Sequence, residues 1–429
     1  MQLRSQHKYQ DSYLDKSQFE QQAQLEYDHI DAIIDPLCSK EKLLYLPDSY
    51  INGNMRAALL SRRSFTRYSL SLAAVASLFG LSPALSACNF SKAADSNKAL
   101  QAVGDSVLST AGSGQDEIAK SSIFAFDTLI MFSAYGSKKV LDVLAEDCAY
   151  YEKLFSAHKE GTDISRINAA QGRKVEVDIE TAQLIEQSLK FSEKTAGKFD
   201  ITVGSASLLW DFKKGIKPSQ AELDEAIKHI DYTKVLVEGN TVQLKDPQAK
   251  LDLGATAKGW IADKLKQRFL DFGISSGLIN LGGNVYAIGA KPDGSAWNIA
   301  VRDPNTQGQS FLTILSVKDA SVVTSGLYER YFDLEDKRYT HILDAHTGYP
   351  VETDILADTV VGSSSFYCDA YSTSLFVDGL DAALKLINAE EELEALFVDK
   401  KAQAHFSEGF KTKYPQALDV LKAHGIDPL

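Results

Sequence analysis

The sequence predicts an α+β fold over residues 123–429, with mixed or antiparallel sheets carrying flanking helices. Three observations lead there. Short runs alternating apolar and polar residues recur between Gly, Pro and Asp turns. Amphipathic stretches with helical spacing precede, interrupt and follow them. A chain of 429 residues with 44% hydrophobic content also suffices for a large core.

Taken in order, FAFDTLIMFSAYG at residues 124–136 alternates like a strand and feeds KKVLDVLAEDCAYYEKLFS, which has the apolar spacing of a helix. ETAQLIEQSLKFSEKTAG is a second amphipathic helix, closed by Gly197, and QAELDEAIKHI is a third. TKVLVEG and NTVQLKD form a hairpin around Gly239 and Asn240. Another helix begins near Thr256. LINLGGNVYAIG, WNIAVRDP, FLTILSV, ASVVTSG and TVVGSSS read as strands, and residues 374–400 carry helical periodicity.

Ahead of this domain, residues 61–67 read SRRSFTR, followed by a moderately apolar run and LSAC ending at Cys88. Charged, apolar and cleavage regions therefore stand in the order of an export signal, and Arg62-Arg63 with Phe65 resembles the twin-arginine motif. Cleavage before Cys88 leaves its thiol to carry lipid. A permanent membrane helix is the alternative, disfavoured by Pro83 and the serines. The expectation is an exported bacterial lipoprotein, membrane-anchored and facing the periplasm. Residues 55–88 are its signal, 89–122 a Ser-, Ala- and Gly-rich tether, and the polar segment 1–54 an upstream extension, with Met55 as the working start.

A formal net charge of -13 excludes nucleic acid as a partner and makes a cation useful wherever an anionic ligand binds. The four cysteines, Cys38, Cys88, Cys148 and Cys368, have neither zinc-site nor CxxC spacing. GxGxxG after a strand, the Walker sequence and the GxSxG elbow are absent.

The richest chemistry lies in residues 251–289, where Asp252, Gly254 and Lys258 precede a helix. Gly254 lets the backbone approach a ligand, and helix-start amides point at negative charge, which suits a phosphorylated molecule. A carboxylate there fits if a divalent cation intervenes or if the acid binds a sugar or ring; capping of the helix by Asp252 is the plainer alternative. Asp369 and Thr373 are four apart, so a helix puts both oxygens on one face, where a carbonyl of the Gly254-Ala255 turn completes a magnesium site. The plainer alternative has Asp369 capping that helix and Thr373 bonding back.

YTHILDAHTGYP places His341 and Asp344 on a short strand entering a turn at Gly348, with His346 as exposed turn material. His341 is one of eight histidines and sits among polar groups, which makes it the candidate base against a structural role. In GKFDITVGSASLLWDF, Phe199, Asp200 and Thr202 combine an aromatic with acceptors, as a flat heterocycle needs, whereas Trp210 and Phe212 read as core. Cys368 reads as a buried small residue.

These blocks, in order, resemble the ApbE-like flavin transferase family, whose members attach FMN from FAD to other proteins. The likeness runs from Phe126 to the C-terminus through FDT, SAHKEGTDISRIN, GKFDITVG, DLGATAKG, NLGGN, TSGLY, HILDAHTG and CDAYST. It implies that Lys198, Phe199, Asp200, Asp252 and Lys258, with Phe126, His158 and Leu343, contact FAD. It also implies that the Ala255 carbonyl, Asp369 and Thr373 hold Mg2+; His341, the candidate base, and Asp369 are the residues expected to be catalytic. Departures are Phe126-Asp127 for the usual Met-Gly, His158 for a tyrosine, Leu327 for an acid, Ala345-His346 in the DPxTG turn, and Cys368 for an alanine. The implied reaction moves FMN to a Ser or Thr hydroxyl of an acceptor flavoprotein, in the family a respiratory electron-transfer protein, releasing AMP. A Mg2+-dependent FAD pyrophosphatase and a non-catalytic flavin-binding lipoprotein are the rival readings.

Overall fold

The protein is described by a computed structural model covering residues 118–306 and 310–426. The upstream extension, the export signal with Cys88, and most of the tether lie outside the described residues. Among the described residues no helix is long and apolar enough to cross a membrane.

The domain opens with β1 (Ile118–Ala125) and β2 (Thr128–Tyr135), followed by α1 (Lys138–Phe155), α2 (Asp163–Asn168), β3 (Val175–Glu176) and α3 (Ile179–Lys194). Next come α4 (Gln220–Ala226), β4 (Val235–Glu238), β5 (Thr241–Leu244) and α5 (Ala257–Asp271). A strand-rich stretch follows: β6 (Gly277–Leu281), β7 (Asn284–Ile288), β8 (Trp297–Arg302), β9 (Phe311–Val317), β10 (Ala320–Gly326), β11 (Tyr331–Leu334), β12 (Lys337–Thr340) and β13 (Ile355–Gly362). The chain closes with α6 (Ser365–Ser374), α7 (Leu380–Ile387), β14 (Leu393–Asp399), β15 (Ala404–Phe406) and α8 (Pro415–Ala423).

Eight strands form one sheet in the order β1-β2-β6-β7-β10-β13-β14-β15, and its ladders are antiparallel. The smaller ladders β3-β5-β4, β8-β9 and β11-β12 are antiparallel too. The fold is therefore α+β, with the antiparallel form of sheet.

Because side chains alternate across a strand, the central sheet presents two apolar faces. Ile130, Val323 and Val360 enter a core shared with α1, α5 and α6. Val322, Val361 and Leu396 enter a second core closed by β8, β9 and α8. Burial on both faces removes the polar half of the alternation, and β14 is buried at every position. That is why residues 374–400 looked helical throughout: α7 ends at Ile387, and LEALFVD is a strand.

Three further expectations are corrected. FAFDTLIMFSAYG is the end of β1, a two-residue turn and β2, and β1 begins at Ile118, inside the segment expected to be tether. Phe126 and Asp127 form that turn with φ of 54° and 59°, the left-handed pair that matches strand twist in a tight hairpin. Neither is glycine, so the turn lacked its usual mark. LINLGGNVYAIG is likewise a hairpin, turned at Gly282 and Gly283. His341 lies one residue past the end of β12 rather than within a strand.

Helices α5 and α6 pack on the first face of the sheet and touch at Gly259. A Cβ at this position would stand 2.4 Å from the Ser365 carbonyl oxygen, 2.7 Å from the Phe366 Cα and 2.8 Å from the Asp369 Cβ. Glycine is thus required by the approach of two backbones. Gly259→Ala is expected to force the helices apart and lower stability by about 1–3 kcal/mol in urea unfolding; unchanged stability would show that the close approach is not maintained.

Candidate active site

The loop entering α5 is fixed from several directions. Asn168 on α2 holds it by both ends of its amide: Oδ1 accepts from Leu251 N at 2.7 Å and Nδ2 donates to the Leu251 carbonyl at 2.9 Å. Asp252 accepts from Gly254 N (2.9 Å) and from the Ser207 hydroxyl (2.7 Å). It therefore closes the turn and does not cap the helix, whose N-cap is Thr256. The capping alternative for Asp252 is overturned.

Asp369 approaches from α6, which begins four residues earlier at Ser365, so it is not a cap either. Its side chain is buried at 2% exposure, with Oδ2 accepting from Gly259 N at 2.8 Å and Oδ1 3.5 Å from Lys258 Nζ. Burial raises the pKa of the carboxyl, against the opposing pull of Lys258 and the Gly259 amide. The same ammonium lies 3.4 Å from the Gly254 carbonyl oxygen. A single cationic group thus stands between the turn and the carboxylate. Thr373 is held loosely, its hydroxyl 3.5 Å from the Asp369 carbonyl.

This donor set fits a hard divalent cation of the magnesium kind. Among the described residues no group of three or more His, Cys, Asp or Glu side chains converges as a metal cage. One carboxylate, a hydroxyl and a turn carbonyl would be the sparse protein share of such a site, with water and substrate phosphate supplying the remaining oxygens.

His341 is half-buried, and its Nδ1 lies 3.3 Å from the Arg330 carbonyl oxygen. With the proton on Nδ1 donated there, Nε2 keeps its lone pair. Burial, then the charges of Arg330 and Lys258, push its pKa down to about 4. Asp252 pulls the other way, so His341, Asp252 and Lys258 share one electrostatic neighbourhood. Leu343, two residues on, is half-buried and forms an isolated bridge with Pro350.

The Phe126-Asp127 turn belongs to the same region. Burial raises the Asp127 carboxyl, but Lys213 at 2.9 Å, Arg330 and His158 outweigh it and hold the group below the usual carboxylate range. The Phe126 amide donates to Glu152 at 2.8 Å, and Glu152 pairs with Lys159 at 2.6 Å. The departure at Phe126-Asp127 is thus matched by cations on three other segments.

In the GKFD block, Phe199 is buried and packs edge-on against Phe191, with ring centroids 5.0 Å apart. Buried Asp200 accepts from Thr202 N (2.7 Å), the Thr202 hydroxyl (2.6 Å) and Tyr232 N (2.9 Å). Lys198 is paired with Asp378. The side chains of Phe199 and Asp200 pack into the interior and the turn, and Lys198 alone of the three is exposed. Trp210 and Phe212 are stacked in a small aromatic core, and Cys368 is fully buried, both as expected.

Glu329 and Asp358 are among the acids that escaped notice in the sequence. The Glu329 side chain reaches solvent, yet partial desolvation raises its carboxyl, opposed by Lys258, Arg302 and Arg330. Asp358 on β13 is 1% exposed, has both carboxylate oxygens buried without a hydrogen-bond partner, and is pushed well above the carboxylate range by burial. Its signal was a lone charge inside ILADTVVG, an otherwise apolar strand.

The sequence profile of the ApbE family matches residues 126–397. The chain belongs to the ApbE family. It is 35% identical over 273 residues to a protein of Treponema pallidum named FAD:protein FMN transferase, covering 59% of this chain and 75% of that one. A Klebsiella pneumoniae protein of the same name is 33% identical over 255 residues, covering 58% and 79%. The crystal structure of the ApbE protein of Thermotoga maritima superposes with a TM-score of 0.65 at 32% identity, covering 70% of this chain and 99% of that one.

In this ApbE chain, lowering the His341 pKa favours the neutral imidazole, so the ring is able to accept a proton at any pH above about 4. An NMR titration with labelled histidine should find His341 neutral at pH 5.5; a midpoint near the ordinary histidine value would contradict its environment.

Proposed function

We propose that this chain is an FAD:protein FMN transferase that uses Mg2+ and moves FMN to a Ser or Thr hydroxyl of an acceptor flavoprotein. The observation that carries this reading is the convergence of Asp369, Lys258 and the Gly254 carbonyl from α6, α5 and the turn before α5. That cluster supports a site for a cation and a diphosphate. Asp369, Thr373 and the Ala255 carbonyl would hold magnesium, which when bound supplies charge neutralisation on the diphosphate.

The acceptor hydroxyl oxygen bonds to the FMN phosphorus of FAD as the bond from that phosphorus to the bridging oxygen breaks. The bridging oxygen leaves on AMP, and the hydroxyl proton passes to Nε2 of His341. Phosphoryl transfer depends on alignment and charge stabilisation, and the Lys258 ammonium provides a fixed positive charge beside both carboxylate and turn. The Arg330 carbonyl orients the imidazole through Nδ1. Asp252, braced by Ser207 and Gly254, keeps the turn shaped for its ligand.

Export and anchoring through Cys88 belong to the same proposal, supported by the order of SRRSFTR, apolar run and LSAC. The acceptor is then an extracytoplasmic flavoprotein of respiratory electron transfer. Cys88→Ala should release the protein from the membrane fraction; unchanged anchoring would remove the lipid assignment.

FAD, Mg2+ and a Ser- or Thr-bearing acceptor, followed by intact mass, test the reaction. A flavinylated acceptor is expected; free FMN and AMP alone would mean that water takes the place of the hydroxyl. Asp369→Ala should lose metal-dependent turnover while keeping its circular dichroism. His341→Gln should lower kcat by roughly 10²–10⁴-fold, the range for loss of a general base. Undiminished activity in either variant removes that residue from its role.

A further inference from the structure

Helix α6 has no cap of its own, since the Ser364 side chain makes no bond to the first turn. The cap comes from α5. Asp263 accepts from Ser365 N on Oδ1 at 2.8 Å, and from Phe366 N and the Ser364 hydroxyl on Oδ2, both at 3.0 Å. A carboxylate at a helix start also complements the helix dipole.

The spacing gives this cap its significance. Asp263 lies four residues after Gly259 on α5, and Asp369 lies four residues after Ser365 on α6, so on each helix the two positions share a face. The bonds run reciprocally: α5 gives an amide at Gly259 to the Asp369 carboxylate, and α6 gives an amide at Ser365 to the Asp263 carboxylate. Two such points one turn apart fix both the height and the rotation of α6 on α5. The sheet holds the same turn from beneath, because the Ser365 hydroxyl donates to Asn284 Oδ1 at 2.8 Å and accepts from Ser321 at 2.9 Å.

We propose that Asp263 is a positioning residue for flavin transfer: by capping α6 from α5, it sets the Asp369 carboxylate over Lys258 and the Gly254 turn. The inference rests on the reading of Asp369 as the carboxylate that binds the cation. Without the cap, the first turn of α6 loses its tie to α5, and of the reciprocal pair of amide bonds between the helices only that from Gly259 to Asp369 remains. Both the empty and the loaded protein feel that loss.

The test uses the full chain and compares Asp263→Ala and Asp263→Asn with Asp178→Ala, which removes the cap of α3, where Asp178 accepts from Glu180 N at 2.9 Å. Mg2+ binding without FAD is measured by calorimetry, with the thermal midpoint, kcat and KM for FAD alongside. Asp263→Ala should weaken Mg2+ binding by roughly 10–100-fold, as loss of a support behind a metal ligand does. kcat should fall while KM for FAD stays near wild type, and Asp263→Asn, which keeps one acceptor oxygen, should be intermediate. Asp178→Ala should lower the thermal midpoint and leave Mg2+ affinity unchanged.

Wild-type Mg2+ affinity in both Asp263 variants, alongside its loss in Asp369→Ala, would overturn the positioning role. So would an equal loss of affinity in Asp178→Ala, which would reduce Asp263 to general stability. Retained Mg2+ affinity in Asp369→Ala would instead overturn the cation reading beneath it. Should Asp263→Ala fail to fold, Asp263→Asn carries the comparison.

Discussion

Asp369 loses nearly all contact with water when α6 packs on α5, and receives the Gly259 amide and the Lys258 ammonium in its place. A carboxylate this deeply buried is costly unless its partners are fixed. Gly259 makes them so, because the absence of a side chain brings the α5 backbone within hydrogen-bonding distance of α6. The turn before α5, the cap on α6 and the sheet beneath both exist in relation to that contact. A change in it moves the Asp369 carboxylate relative to Lys258.

Around this contact the site gathers opposite charges that do not simply cancel. Lys258, Arg302 and Arg330 face Asp369 and Glu329, while Asp358 lies deeper with no hydrogen-bond partner. Desolvation pushes all three acids toward their neutral forms, and the cations resist it for Asp369 and Glu329. Such opposed effects are typical of sites that bind charged molecules rather than of surface ion pairs. The acidity of the chain as a whole makes local cations the more important for an anionic ligand.

Much of the site was legible because its chemistry is local. Asp252 and Gly254 announced a turn before a helix, and the spacing of Asp369 and Thr373 placed both on one helical face. Asp263, Glu329 and Asp358 were invisible for the opposite reason: each acquires its role from segments distant in sequence. The same limit explains the misreadings. β14 is buried on both faces and imitates a helix, and Phe126-Asp127 turns a hairpin without glycine. The motifs identified where the site is, whereas packing decided which of their polar groups remain free.

Loss of solvent and two nearby cations hold the imidazole of His341 toward its neutral form, against the pull of the Arg330 carbonyl and Asp252. An ordinary histidine takes up a proton under mild acidity. This one does not. Its weak affinity for protons keeps the ring uncharged down to about pH 4.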